Sequence, residues 1–448
     1  MDIEHYVFIN KKVLQFVGFY PTNKVRSLFC VLCMFLIGIP QLIQIYQDWN
    51  DLNIVLEVSS VLLMILLGIS KALVCTINST NVEILINFLL TEFWEYAINN
   101  TSYRNLEKYA MQAKNITKGY LFLIFNALLI FFMLPLIDIF ILKYKGILSN
   151  DSNSFPFMAS YPDFFYEFPL YEITYTSQVI ATVICGLLIL ATDTLIATAI
   201  IHTCGHFVTL QKNLNNLNKS CNMVYSILFY AANFPKIQYI QVIIILGLST
   251  SISGKKIGKN NKTYKIPINT KYKIQYCRFC EIMENNFSLM LLLQTVSSSL
   301  IICLVGVQVS IVSIKKLNIL SGLTDSTKLM KYFSYLIMAL SQLLLFCFPG
   351  DQLIYEVIKS NLQKYINVYY CNKCIISYKS SMVSKTVYSI KWYQISTPIK
   401  SEICMMILRS QKPCYITAGK IYVMHLENFN AILNTSLSYF MVLKNFNT

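Results

Sequence analysis

Charge is what this sequence lacks. Of its 448 residues only 13% are Asp, Glu, Lys or Arg, about half the roughly 25% of an ordinary soluble domain. A soluble globule of this length cannot cover its surface with so little. Hydrophobic residues make up 55% of the chain, which excludes disorder, and the length excludes a small secreted disulfide scaffold. Catalytic signatures are missing too: there is no Walker loop, HExxH, GxSxG or Ser/His/Asp set, so no enzyme and no cofactor are expected. No signal peptide is visible, because residues 1–26 are polar and charged and the first apolar run lacks a small-residue cleavage site. What charge there is leans one way, with 37 Lys and Arg against 22 Asp and Glu, a net +15. A nucleic-acid binder gathers such charge on a soluble basic face. Here it shares the chain with long apolar runs, which makes the class an integral membrane protein with no nucleic-acid partner.

Apolar runs of about 20 residues, the length a helix needs to cross a bilayer, occur at 27–46, 54–77, 119–142, 173–201, 287–314 and 330–348. A weaker seventh lies at 426–443. The stretch 237–252 has only a short apolar core beside Pro235 and a Lys run, and is not counted. With the N-terminus in the cytoplasm, the inner segments plus Lys71, placed at the inner end of the second run, hold 30 of the 37 Lys and Arg. Long loops weigh little in this rule. The short N-terminal segment, with Lys11, Lys12, Lys24 and Arg26, still favours the inside over the charge-poor loop 47–53. The expected fold is all-α: seven transmembrane helices, N-terminus cytoplasmic, C-terminus extracellular. A G-protein-coupled receptor is the other way up. The chain also lacks that class's DRY and NPxxY motifs, and its larger outer segments, 143–172 and 315–329, contain no cysteine.

The 14 cysteines fall mostly in spans or inner segments, where thiols stay reduced. Cys277 and Cys280, and Cys371 and Cys374, have the spacing of half zinc sites, but they lie far apart with no nearby histidine. His202 and His206 stand one helical turn apart without a carboxylate close in sequence. No metal site is expected. Asp138 and Asp193 are ionisable residues within spans, which makes them functional candidates; for Asp193 an interhelical hydrogen bond is the plainer role. Asn150 begins the one Asn-x-Ser/Thr sequon in an outer loop and is the glycosylation candidate.

The weak last run is polar on one side. At about 100° per residue, Glu427, Asn430, Asn434, Ser438, Val442 and Asn445 share a face, opposite Ile432, Leu433 and Phe440. Such a stripe must meet protein or water. Two roles stay open: polar packing inside a bundle, or the wall of a water-filled path narrowing near Val442, which needs an oligomer to enclose it.

The segment from Ser410 to Lys420, with Leu426–Phe429 and Ser436–Leu443, resembles the terminal signature of insect odorant receptors. Phe155-Pro156-Phe157, residues 171–175, residues 202–205, residues 278–284 and Cys347-Phe-Pro-Gly-Asp351 are similar to further stretches of that family, in the same order. The resemblance implies a seven-helix subunit with a cytoplasmic anchor, and a split seventh helix whose second half lines a central pore. It implies a heterotetramer with the odorant receptor co-receptor, in the plasma membrane of sensory neurons. There a small volatile odorant opens a non-selective cation channel. Val442 matches the family's hydrophobic gate, with Asn430, Asn434, Ser438 and Asn445 along the pore. The implied pocket lies among the outer halves of helices 2, 3, 4 and 6, which present Met64, Ile130, Met133, Leu134, Val179, Tyr332, Tyr335 and Met338. Thioethers and aromatics suit an apolar volatile, although each side chain also suits ordinary bundle core.

Two stretches depart from the pattern, 221–273 and 361–382. Both are rich in Lys, Asn, Ile and Tyr, the composition of a translated AT-rich intron, and retained introns are one explanation. A basic cytoplasmic loop touching anionic membrane lipid is another. The competing functions are a gustatory-type chemoreceptor and, from other classes, a G-protein-coupled or transporter-like protein. The inverted N-terminus disfavours the first of these last two. The absence of an inverted repeat disfavours the second.

Overall fold

The computed structural model describes residues 4–89, 103–144, 155–233, 270–315, 324–361, 417–424 and 426–447. The expectations for Asn150, for the stretch 237–252, for the anchor half of the seventh helix and for most of the two atypical stretches lie outside them. The chain divides into two compact units. The first comprises 1–204, 279–376 and 415–448, and the second comprises 205–278 and 377–414. The described part of the second is helical.

The first unit is built of helices. In chain order they are α1 (Glu4–Val17), α2 (Lys24–Gln47), α3 (Leu52–Ile77), α4 (Ser79–Asn87) and α5 (Tyr103–Tyr144). A short 3-10 turn follows at Asp163–Tyr166, then α6 (Leu170–Asn233, whose residues from 205 on belong to the second unit), α7 (Thr270–Lys315, whose residues before 279 also do) and α8 (Thr324–Asn361). A hairpin of β1 (Thr417–Ala418) and β2 (Tyr422–Val423) precedes the last helix, α9 (Leu426–Asn447). Six of these helices contain a segment long and apolar enough to cross a bilayer: 24–47, 52–77, 106–137, 170–206, 281–313 and 327–349. Each overlaps one of the first six apolar runs. The helices outrun the apolar runs: α5, at 42 residues, measures about 63 Å at about 1.5 Å per residue, twice the thickness of a hydrocarbon core.

The helix starts are chemically marked. The Asn23 side chain accepts the Arg26 N–H at 3.1 Å, and the Asp51 side chain accepts that of Asn53 at 2.9 Å, capping α2 and α3. Helix α2 sorts its residues by face. Cys30, Met34, Ile37 and Gln41 turn inward at three- and four-residue steps, while Phe29, Leu32, Leu36, Ile39 and Ile43 are exposed. An exposed apolar stripe of that length fits lipid rather than water. Gly68 lets α2, α3 and α6 close up. A Cβ there would lie 2.8 Å from Cys185 Sγ and 3.3 Å from Met34 Sδ.

Lys71 corrects the sequence reading. It is not a solvated charge but is 1% exposed, bonded at 2.5 Å to the fully buried Asp193 of α6. A long apolar helix carried past the lysine places it among neighbouring helices, and only an opposite charge makes that tenable.

Candidate functional site

A cavity of about 90 Å³ lies inside the first unit, between α3, α5, α6 and α8. The faces that line it follow helical spacing. Val61, Met64 and Ile65 come from α3; Ile124, Ala127, Leu128 and Phe131 from α5; Thr182, Cys185, Gly186 and Ile189 from α6; Tyr335 and Met338 from α8. Phe157 reaches the wall from the segment before the 3-10 turn and stacks on Phe131 with ring centroids 5.6 Å apart. The backbone N–H of Phe157 donates to Gln178 Oε1 at 3.2 Å, which holds the segment against α6. The Gln178 amide also donates to the Tyr161 hydroxyl at 3.2 Å. Burial pushes that phenol above its ordinary range, and the hydrogen bond from Gln178 opposes the shift.

Of the residues expected at a pocket, Met64, Tyr335 and Met338 line this cavity. Tyr332, 5% exposed, instead donates its hydroxyl to Glu57 Oε2 at 3.2 Å, and Lys331 meets Glu57 Oε1 at 2.9 Å. Leu134 is buried but outside the lining, Ile130 and Val179 are half-buried, and Met133 is exposed. On α5 the lining positions 124, 127, 128 and 131 form one stripe; Leu134 continues it one turn beyond the lining, while Ile130 and Met133 sit on the neighbouring face. Phe131 and Phe157 were not expected at the site. The one signal for Phe157 was the Phe155-Pro156-Phe157 motif.

A polar network lies in the core of the same unit. Tyr120 of α5 donates its hydroxyl to Asp193 Oδ2 at 3.1 Å, across from Lys71, and the Gln342 amide of α8 sits beside that phenol. Gln294 of α7 donates to Gln342 Oε1 and Ser298 Oγ, both at 2.8 Å. One residue on, the Ser299 hydroxyl is 3.0 Å from that of Ser436 on α9. Buried polar side chains thus connect five helices, and a neighbouring bond reaches the sixth. Elsewhere, the ring of the buried His202 bonds the Thr198 carbonyl oxygen at 2.8 Å. No group of three His, Cys, Asp or Glu side chains converges among the described residues.

Two contacts hold α9 to α7. Ser436 is fully buried against α7, and Phe440 packs over Gly306, where a Cβ would meet its ring at 3.2 Å. Asn430, Asn434, Ser438 and Val442 are exposed; the Asn445 side chain lies outside the described residues. The polar stripe therefore faces away from its own bundle.

The hairpin before α9 explains why its sequence is so particular. Thr417 donates its backbone N–H to Glu284 Oε2 at 2.8 Å and its hydroxyl to Oε1 of the same carboxylate. Gly419 N–H donates to the Ser288 carbonyl at 2.8 Å, and Lys420 N–H to Ser288 Oγ at 3.1 Å. Gly419 has φ +62° and lies so close to Leu292 that a Cβ would be 2.6 Å from its Cδ2. Glu284, Ser288 and Leu292 repeat every fourth residue on one face of α7.

Comparisons place the chain among known proteins. The family model described as 7tm odorant receptor matches residues 51–360 and 357–437. Odorant receptor 13a of Drosophila melanogaster is 25% identical over 414 residues, covering 89% of this chain and 81% of that one. The odorant receptor coreceptor of Aedes aegypti is 28% identical over 37% of this chain and 28% of its own length. The structure of olfactory receptor OR5 from Machilis hrabei in complex with eugenol has the same fold, with a TM-score of 0.65 at 15% identity, covering 99% of this chain and 97% of that one. With the family model matching most of its length, the chain belongs to the 7tm odorant receptor family.

Proposed function

We propose that this protein is the odorant-binding subunit of a ligand-gated, non-selective cation channel, assembled as a heterotetramer with the odorant receptor co-receptor. It has seven membrane helices, an inner N-terminus, an inner anchor and an outer C-terminus, and works in the plasma membrane of olfactory neurons. The observation that carries the reading is the orientation of α9. Its stripe of Asn430, Asn434, Ser438 and Val442 is exposed while Ser436 and Phe440 hold the opposite side to the bundle. Amide side chains facing hydrocarbon are costly, so the stripe calls for water or another subunit. A pore shared between subunits gives it both. Asn445 continues the stripe, and Val442 is its apolar constriction.

Odorant binding belongs to the cavity between α3, α5, α6 and α8, whose wall of aliphatic, aromatic and thioether groups suits a small apolar ligand. The Machilis hrabei receptor, described in complex with eugenol, supports a ligand of that kind. Met64, Tyr335 and Met338 contact the ligand, with Ile130, Met133, Leu134, Val179 and Tyr332 supporting the surrounding faces. Asn150 carries the glycan.

The test is voltage clamp of cells expressing the chain with and without the co-receptor. Odorant-evoked cation current that needs both and is independent of G proteins is the expected result. Val442→Ala should then raise resting current or alter ion selectivity. Surface expression without current to any odorant would overturn the channel, and unchanged currents in the variant would remove Val442 from the gate.

A further inference from the structure

Helix α1 is held to the bundle by one face only. Val7, Asn10, Leu14 and Val17 are buried, at the three- and four-residue steps of a single helical side. The Asn10 amide donates to the Thr198 hydroxyl of α6 at 3.3 Å. The turn into α2 fixes the other end. Arg26 donates to the Gln15 carbonyl, in the last turn of α1, at 2.8 Å. Tyr20 and Thr22 donate their hydroxyls to Asn87 and Glu83 of α4 at 2.8 and 2.9 Å. Helix α1 is thereby fastened where the first membrane-crossing helix begins.

The opposite face carries Phe8, Lys12 and Phe16, four residues apart and all exposed, both phenylalanines at 56%. The Lys12 ammonium lies over the Phe8 ring, 5.8 Å from its centroid. Beyond the turn, α2 opens with Lys24, Val25, Leu28 and Phe29, again exposed, at the start of its lipid-facing stripe. Neither Lys12 nor Lys24 pairs with a carboxylate among the described residues.

Exposed rings in a row are costly in water. A lysine laid across one of them keeps its stem on apolar surface and its charge at the polar edge. This is the chemistry of a helix at a membrane surface, with rings at the acyl boundary and cations among the headgroups. Continuity with the apolar stripe of α2 makes the occupant lipid, and two cations without a carboxylate partner make that lipid anionic. We propose that the Phe8–Lys12–Phe16 face binds anionic phospholipid of the inner leaflet, with the two rings in the acyl boundary and Lys12 and Lys24 on the headgroup. The choice of leaflet rests on the reading of an inner N-terminus.

The test uses the full chain in lipid nanodiscs. Phe8→Trp puts a fluorophore on the face and keeps an aromatic ring. Its emission, less that of the parent chain with its own three tryptophans, reports the lipid that touches residue 8. Brominated phosphatidylcholine and brominated phosphatidylserine, used as quenchers at equal fractions, give the relative affinity of neutral and anionic lipid. Both should quench, and phosphatidylserine should bind about five-fold more tightly for each lysine that meets it. The preference should shrink in high salt. Lys12→Gln with Lys24→Gln should bring the two lipids to equal affinity, whereas Lys12→Arg with Lys24→Arg should keep the preference. Phe16→Trp makes the same measurement two turns along, should Phe8→Trp fail to fold.

Absence of quenching at residues 8 and 16 by either lipid would overturn the proposal and give the face to protein or water. Equal affinity of the two lipids in the parent background would leave a plain apolar contact and overturn the anionic site. A preference that survives the loss of both lysines would overturn it as well. Nanodiscs carry the same lipids on both sides, so none of these outcomes depends on which way the chain is inserted. Antibody access to an N-terminal tag on intact cells tests the inner N-terminus by itself.

Discussion

At the scale of single residues, the buried pair Lys71–Asp193 shows how position along a helix can mislead. Lys71 lies six residues before the end of α3, where a sequence reader puts a charge at the membrane surface. The side chain instead meets Asp193, itself fully buried and also bonded by Tyr120. Asp193 stood out in the sequence because an acid inside an apolar run is expensive. Its partner did not, since nothing in one sequence says which helices are neighbours. The pair makes a testable asymmetry. Lys71→Met or Asp193→Leu alone strands a buried charge and should cost about 3–5 kcal/mol, while the double substitution should recover most of it. Thermal melting of the four chains in detergent measures both effects. Additive losses in the double variant would show that the two residues do not depend on one another.

At the scale of elements, the long apolar helices were legible because hydrophobic length is a property of one segment. The cavity was legible only in part, because choosing the face of α5 requires knowing what packs against it. The sequence flagged Met64, Tyr335 and Met338, missed Phe131, and pointed to Phe157 only through a motif. The hairpin shows the opposite case. The stretch Thr417-Ala418-Gly419-Lys420 of the terminal signature is recognisable in the sequence as a pattern, but its role is not. Its role is docking: Glu284, Ser288 and Leu292 on α7 receive the turn that leads into α9. Only glycine fits at 419, for two separable reasons. Its φ of +62° disfavours a side chain, and Leu292 occupies the space where a Cβ would go. Gly419→Ala should therefore destabilise the docked turn by about 1–3 kcal/mol. Adding Leu292→Ala should relieve the steric part and leave the backbone part. Protease protection of the hairpin, compared across the single and double variants, reads the difference. Full protection in Gly419→Ala would show that the turn is not held this way.

At the scale of the whole molecule, the last helix presents a surface that the described part of its own chain does not cover. Its sequence allowed two roles for the polar stripe, packing inside the bundle or facing a water path. Within its own chain the stripe is exposed, and the inward contact is made by Ser436, a residue off the stripe. A single subunit leaves Asn434 and Ser438 exposed together with Tyr439 and Met441, so a neighbour or water must cover a broad surface. If subunits enclose a pore, these positions separate by environment. Asn434→Cys and Ser438→Cys should react with a charged, water-soluble thiol reagent while odorant is present, and the modification should block current. Ser436→Cys, against Ser299, should resist it, and Tyr439→Cys should not block even if modified. The background is low among the described residues, because Cys30, Cys33, Cys75, Cys185, Cys204, Cys303 and Cys347 are all buried. Block at Tyr439 with none at Ser438 would place the water path on another face of α9. Protection of every stripe position would return the stripe to subunit packing and leave the channel without this wall.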